Sequence, residues 1–242
     1  MQFTSKEAHL VHIHIPGTAG TSIEKMLCQQ FQVDYDYPTP NITNLFGFYK
    51  KNKNQYFQLA HLTWGEMIKH HFVEEREETK VFTIVRNPFS RIPSLHRRFF
   101  GSMTLEAFLT MLQGHPLQNY AHDGIKSDVV ELDAQNMLRH PELLTYFFLP
   151  QRSYIENSGS QVFYFESLDK INLENVSTNI IKKPLKIPTL SKAERQLIRQ
   201  LYKIDFEEFG YSKSYRLFVV KTRLSNSVLK FQNRIKNLLA RF

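Results

Sequence analysis

Twice along this chain a short run of mostly β-branched and apolar residues stops at a proline-bearing loop, and helical spacing follows at once. The first run is Leu10-Val11-His12-Ile13-His14-Ile15, closed by Pro16 and Gly17. A helix is expected from Thr21 to Gln30, with Thr21 or Ser22 as its cap. The second run is Val81–Val85, closed by Arg86-Asn87-Pro88 and followed by helical spacing from about Phe89 to Phe100. Further strands are expected at Tyr56–His61, before a short helix, and at Gln161–Phe165. Ser191-Lys192-Ala193-Glu194 reads as a capping box opening a helix that runs to about Phe206. Strands that alternate with helices predict an α/β fold, with a central parallel sheet flanked by helices on both faces. Ligands of such sheets sit beyond the carboxyl ends of the strands, where both loops lie.

The composition narrows the class. Hydrophobic residues at 42% against 22% charged can bury a sizeable core, which argues against disorder. One cysteine, Cys28, excludes a disulfide scaffold, a cysteine-ligated iron–sulfur cluster and a cysteine-rich zinc site. His12 and His14 share a strand face but have no third ligand at fixed spacing, so no metal is expected. No apolar run approaches the roughly 20 residues that span a bilayer, and the start lacks the basic-then-apolar order of a secretory signal. A cytoplasmic protein is the expectation.

The charge is unevenly placed. Net charge is +8, and between Ser212 and Phe242 stand Lys213, Arg216, Lys221, Arg223, Lys230, Arg234, Lys236 and Arg241 with no acidic residue. The remaining 23 basic residues balance all 23 acidic ones, so residues 1–211 are formally neutral. A nucleic-acid-binding protein usually spreads its basic stripe over the fold, so no nucleic-acid partner is expected. Leu217, Val220, Leu224, Val228, Phe231, Ile235, Leu238 and Phe242 recur at three- and four-residue steps on one helical face. Packing of that face on the body is the ordinary outcome; docking on an anionic membrane or an acidic partner is the alternative.

Pro16-Gly17-Thr18-Ala19-Gly20-Thr21-Ser22 joins strand to helix through small and hydroxyl residues. Its backbone N–H groups and the helix N-terminus can cradle an anion, although the Walker spacing and its lysine are missing. In the second loop Arg86 stands at a strand end with Ser90 and Ser94 following, a set able to bind phosphate oxygens.

Together the two loops resemble the cofactor motifs of sulfotransferases that use 3′-phosphoadenosine 5′-phosphosulfate (PAPS), most of all the carbohydrate branch with the heparan and dermatan 2-O-sulfotransferases. Ile15-Pro16-Gly17-Thr18-Ala19-Gly20-Thr21-Ser22 is similar to Ile-Pro-Lys-Thr-Gly-Gly-Thr-Ser, and Arg86-Asn87-Pro88 with Arg91 and Ser94 to Arg-Asp-Pro with Arg and Ser. Gln135, Pro150-Gln151 with Tyr154-Ile155, Phe165-Glu166-Ser167-Leu168, and the stretch from Tyr202 through Asp205-Phe206 to Phe209-Gly210-Tyr211 echo later motifs in the family's order.

The resemblance implies a P-loop-like three-layer fold over residues 1–211, a basic amphipathic tail at 212–242, PAPS as co-substrate and a carbohydrate acceptor. It further implies cofactor contacts from Gly17, Thr18, Ala19, Gly20, Thr21, Ser22, Arg86 and Ser94, with His61 as catalytic base. The family's lysine is replaced by Gly17, for which Arg91, Arg97 or Arg98 is a candidate substitute. The alternative is a PAPS-binding protein without turnover.

Overall fold

The computed structural model describes residues 3–5, 9–32, 42–44, 48–52, 55–58, 61–69, 71, 73, 78–114, 144, 147–168, 170–173, 176–179 and 185–239. Gln135 lies outside them.

The two signature runs form neighbouring parallel strands. The first, β2 (Leu10–Ile13), pairs with β6 (Lys80–Val85) in the register Leu10↔Lys80 to Ile13↔Thr83. β6 pairs in parallel with β7 (Gln161–Tyr164), from Phe82↔Gln161 to Val85↔Tyr164. Two short antiparallel strands, β1 (Phe3–Ser5) and β3 (Ile42–Asn44), extend the sheet to the order β3-β1-β2-β6-β7. Three adjacent parallel strands, β2, β6 and β7, thus carry the expected α/β architecture.

Alternation along β6 divides the core. Phe82 and Ile84 face α1 (Gly20–Gln30), where they pack with Ile23, Leu27 and Cys28. Val81 and Val85 face the opposite layer, which includes α3 (Pro88–Phe99), α4 (Leu105–Gln113) and α6 (Lys192–Leu201). That second layer holds the larger core, rich in Phe89, Phe100, Phe108 and Phe148. Burying each such side chain stabilises the fold by about 1.5–3 kcal/mol.

Several expectations are corrected. α1 begins at Gly20, and its cap is Ala19 at φ 74°, not Thr21 or Ser22; no side chain caps it. The run at Tyr56–His61 does not join the central sheet among the described residues. It contributes β5 (Gln55–Gln58), which forms a separate antiparallel hairpin with β4 (Phe48–Asn52). A hairpin closes a far shorter loop than a parallel crossover does, so local pairing is favoured here. His61 follows β5 and precedes α2 (Trp64–Lys69).

The capping box at Ser191 is present, with Ser191 N donating to Glu194 Oε2 at 2.7 Å and Glu194 N to Ser191 Oγ at 3.1 Å. Its helix, however, breaks at Tyr202, and α7 (Lys203–Glu208) follows. The buried Tyr202 hydroxyl donates to Phe148 O at 2.9 Å, which fixes the break. Two further elements complete the frame: α5 (Gln151–Tyr154), and α8 (Tyr215–Leu239), whose side chains are described to Ser227. A second two-stranded hairpin pairs β8 (Lys170–Leu173) with β9 (Val176–Asn179). No helix among the described residues is long and apolar enough to cross a membrane.

Candidate active site

Parallel pairing sets the carboxyl ends of β2 and β6 side by side, and Thr83 Oγ1 ties them by donating to Ile13 O at 2.8 Å. The loops leaving these ends meet directly. Arg86 Nη1 donates to Gly17 O at 3.0 Å, and its Nε donates to Ser90 Oγ at 3.0 Å. The guanidinium carbon lies 4.6 Å from the centroid of Phe165. Among the described residues Nη2 has no protein partner, which leaves its two N–H donors for an anion. Burial pulls the Arg86 cation down to about 10, with Arg91 and Arg97 adding to the effect against Glu166. A bound phosphate would relieve that desolvation.

In the first loop both Gly17 (φ 81°) and Ala19 (φ 74°) are left-handed. Backbone turns containing left-handed residues turn successive N–H groups toward a common point, and the α1 N-terminus begins at the next residue. Ser22 N and Ile23 N close on Ala19 O at 3.0 and 3.3 Å. Thr21 and Ser22 are exposed beside that terminus. Thr18 is not: its hydroxyl turns inward to Ile15 O at 2.7 Å and is fully buried, so its contribution is to the loop's shape. Ser94 is half-buried on α3, one turn beyond Ser90.

The candidates to replace the missing lysine separate cleanly. Arg91 is completely buried and serves three backbone carbonyls: Pro16 O from Nε at 2.8 Å, Leu149 O from Nη1 at 3.0 Å and Phe147 O from Nη2 at 3.0 Å. It clamps the loop and is not a mobile catalytic cation. Arg97 and Arg98 are exposed in the last turn of α3, and their charges reach Arg86 and His61 respectively.

His61 Nδ1 lies 3.2 Å from the carbonyl oxygen of His14. A carbonyl only accepts, so this bond places the proton on Nδ1 and leaves Nε2 with the lone pair. Burial, then the charges of His14, the N-terminal amine and Arg98, hold His61 well below its ordinary range against that bond. The ring is therefore a neutral base at pH 7. Phe147 packs edge-on at 5.0 Å and the His14 ring at 4.6 Å.

Sequence reasoning missed the supports beneath these groups. Glu24 of α1 sits 3.1 Å from His14 Nδ1 and 3.5 Å from His12 Nδ1, which absorbs the two strand histidines in a buried cluster. Burial raises Glu24 and lowers His12, both toward the neutral form. Around the second loop, Gln151 receives Arg86 N and donates to Arg86 O, each at 2.8 Å. Glu166 receives Asn87 N at 2.8 Å and the Tyr211 hydroxyl at 3.1 Å. Asp205 holds Gln151 at 3.3 Å and Arg152 N at 3.0 Å. The later motifs were visible as letters, but their partners stand 45–79 residues away along the chain.

These features define an α/β protein in which a small-residue loop and an arginine-bearing loop meet at adjoining parallel strand ends, with a neutral histidine bonded to the backbone just beyond the first strand. A family model described as "Sulfotransferase family" matches residues 2–212, and the chain belongs to that family. Membership supports sulfuryl transfer as its chemistry. No curated protein and no solved structure matches the chain.

Proposed function

We propose that the protein moves a sulfuryl group from PAPS to a hydroxyl of a carbohydrate, with His61 Nε2 as general base. The observation that carries this reading is the contact of Arg86 Nη1 with Gly17 O at 3.0 Å. It brings together two loops that each suit an anion, which supports a ligand with phosphate groups at two positions. On the motif resemblance, the 5′-phosphosulfate belongs at Gly17–Ser22 and the 3′-phosphate at Arg86 and Ser94. The carbohydrate acceptor rests on the same likeness.

In the transfer, a sulfur–oxygen bond to the acceptor forms as the one to the phosphate breaks. The hydroxyl proton passes to His61 Nε2, and the adenosine 3′,5′-bisphosphate (PAP) departs. A positioned base contributes about 10²–10⁴-fold, and the α1 N-terminus offsets charge developing on the leaving phosphate. Because His61 is held low chiefly by burial, its acid limb falls below pH 6.5, with a plateau at neutral pH.

A second reading is a nucleotide-binding protein without turnover. Gly17 supplies no cation, and the Arg91 fork is committed to three carbonyls. A thermal-shift titration with PAP, followed by sulfate transfer from labelled PAPS to a panel of glycans, tests both. Stabilisation by PAP with transfer that His61→Ala abolishes, at unchanged PAP stabilisation, supports the enzyme. Stabilisation without transfer to any acceptor selects the second reading, and no stabilisation by PAP or PAPS removes both.

A further inference from the structure

Helix α8 has two apolar faces, and only one is covered by the body. Tyr215, Phe218, Thr222 and Asn226 face inward. Phe218 lies 6.0 Å from Phe89, and Tyr215 lies 5.4 Å from the same ring and donates its hydroxyl to Pro188 O. Asn226 pairs with the Leu185 backbone in both directions, receiving from N at 2.8 Å and donating to O at 2.9 Å. This anchorage fixes the rotation of the helix about its axis.

The apolar stripe legible in the sequence is the other face. Leu217 is 51% exposed, Val220 46% and Leu224 63%, the most exposed of the large hydrophobics with Ile204. At about 100° per residue these three fall within an arc of roughly 60°, on the side opposite Phe218, Thr222 and Asn226. Arg216 and Arg223 flank the arc on one side and Lys221 on the other, all exposed. From Ser212 to Phe242 the chain adds five further basic residues and no acidic one.

We propose that this outer face of α8 docks the protein on an anionic lipid bilayer, with Leu217, Val220 and Leu224 entering the headgroup boundary and Arg216, Lys221 and Arg223 meeting lipid phosphates. An aliphatic stripe bordered by cations along a long helix is the pattern of an interfacial helix. A second copy fits poorly. The contact would set the same cationic borders against each other, like charge facing like charge. An acidic protein would also meet the charges, and its capture is one outcome of the test.

The test is co-sedimentation of the full chain with vesicles of phosphatidylcholine alone and with about 30% phosphatidylserine, at low and physiological salt. The expected result is binding to the anionic vesicles only, weakened by salt. Replacing Arg216, Lys221 and Arg223 by Gln lowers partitioning by about 100-fold, on the order of five-fold for each cation near the surface. Leu217→Gln/Val220→Gln/Leu224→Gln lowers it at least ten-fold at full net charge, with the melting temperature unchanged because these side chains are already exposed. Equal binding by the apolar triple variant and the parent overturns the proposal, as does no binding to anionic vesicles at low salt. A dimer in sedimentation velocity that the triple variant abolishes, or capture by an acidic polypeptide without vesicle binding, assigns the face to another occupant and overturns it too.

Discussion

Gly20→Ala probes the join between the loop after β2 and the histidine cluster. A Cβ at position 20 would lie 2.0 Å from His14 Cδ2, 2.3 Å from Nε2 and 2.5 Å from Cγ. Carbon atoms rest at about 3.5–4.0 Å, so the ring must retreat by more than an ångström. It has little room: His14 is 5% exposed, its Nδ1 is 3.1 Å from Glu24, and its ring abuts His61 at 4.6 Å. Overpacking of this kind costs about 1–3 kcal/mol, and the gain from replacing a helical glycine by alanine returns about 0.5–1 kcal/mol. The net loss is about 0–2.5 kcal/mol, which lowers the melting temperature by up to roughly 10 °C for a chain of this size. The decisive assay is a double-mutant cycle in denaturant with His14→Ala, which removes the ring that Cβ would strike. Gly20→Ala should cost about 1 kcal/mol more in the parent than in the His14→Ala background. Strict additivity refutes the argument that His14 dictates glycine here.

Ala19 holds a left-handed φ of 74° that costs a non-glycine residue roughly 1–2 kcal/mol. Ala19→Gly should therefore raise the denaturant midpoint by the equivalent of up to about 1 kcal/mol after the entropy of glycine is deducted, and a fall contradicts the strain. Gly17→Lys restores the motif letter but places Cβ 3.0 Å from Leu95 Cγ and 3.3 Å from Arg91 Cγ at φ 81°. It is expected to destabilise by about 1–2 kcal/mol and to add no sulfate transfer, as measured by melting and a labelled-PAPS assay. His12 is lowered, chiefly by burial, so as pH falls below 6.5 the unfolded chain takes up a proton that the folded chain refuses, and this group's contribution to stability is lost. Urea titrations between pH 6.5 and 5 should give a stability slope smaller in His12→Asn than in the parent, by at most about 1.4 kcal/mol per pH unit; identical slopes contradict a neutral His12.

Local sequence determined the elements that local physics can specify. The β-branched runs gave β2, β6 and β7, the capping box opened α6, and the small-residue loop and arginine marked the strand ends whose loops meet. These signals need only a few consecutive residues, because side-chain period, proline and cap chemistry act within a turn or two. Tertiary structure decided which groups can act. Among the candidate cations it committed Arg91 to three carbonyls, left Arg97 and Arg98 exposed, and turned Thr18 inward. It fixed the His61 tautomer through a carbonyl 47 residues away and gathered His12, His14 and Glu24 under the loop. It also chose which apolar face of α8 meets the body. Periodicity in one dimension ranks faces by their own residues, whereas burial depends on what the rest of the chain offers opposite them. Asn226 pairing with Leu185 and Phe218 seated by Phe89 outweighed the more regular stripe of Leu217, Val220 and Leu224.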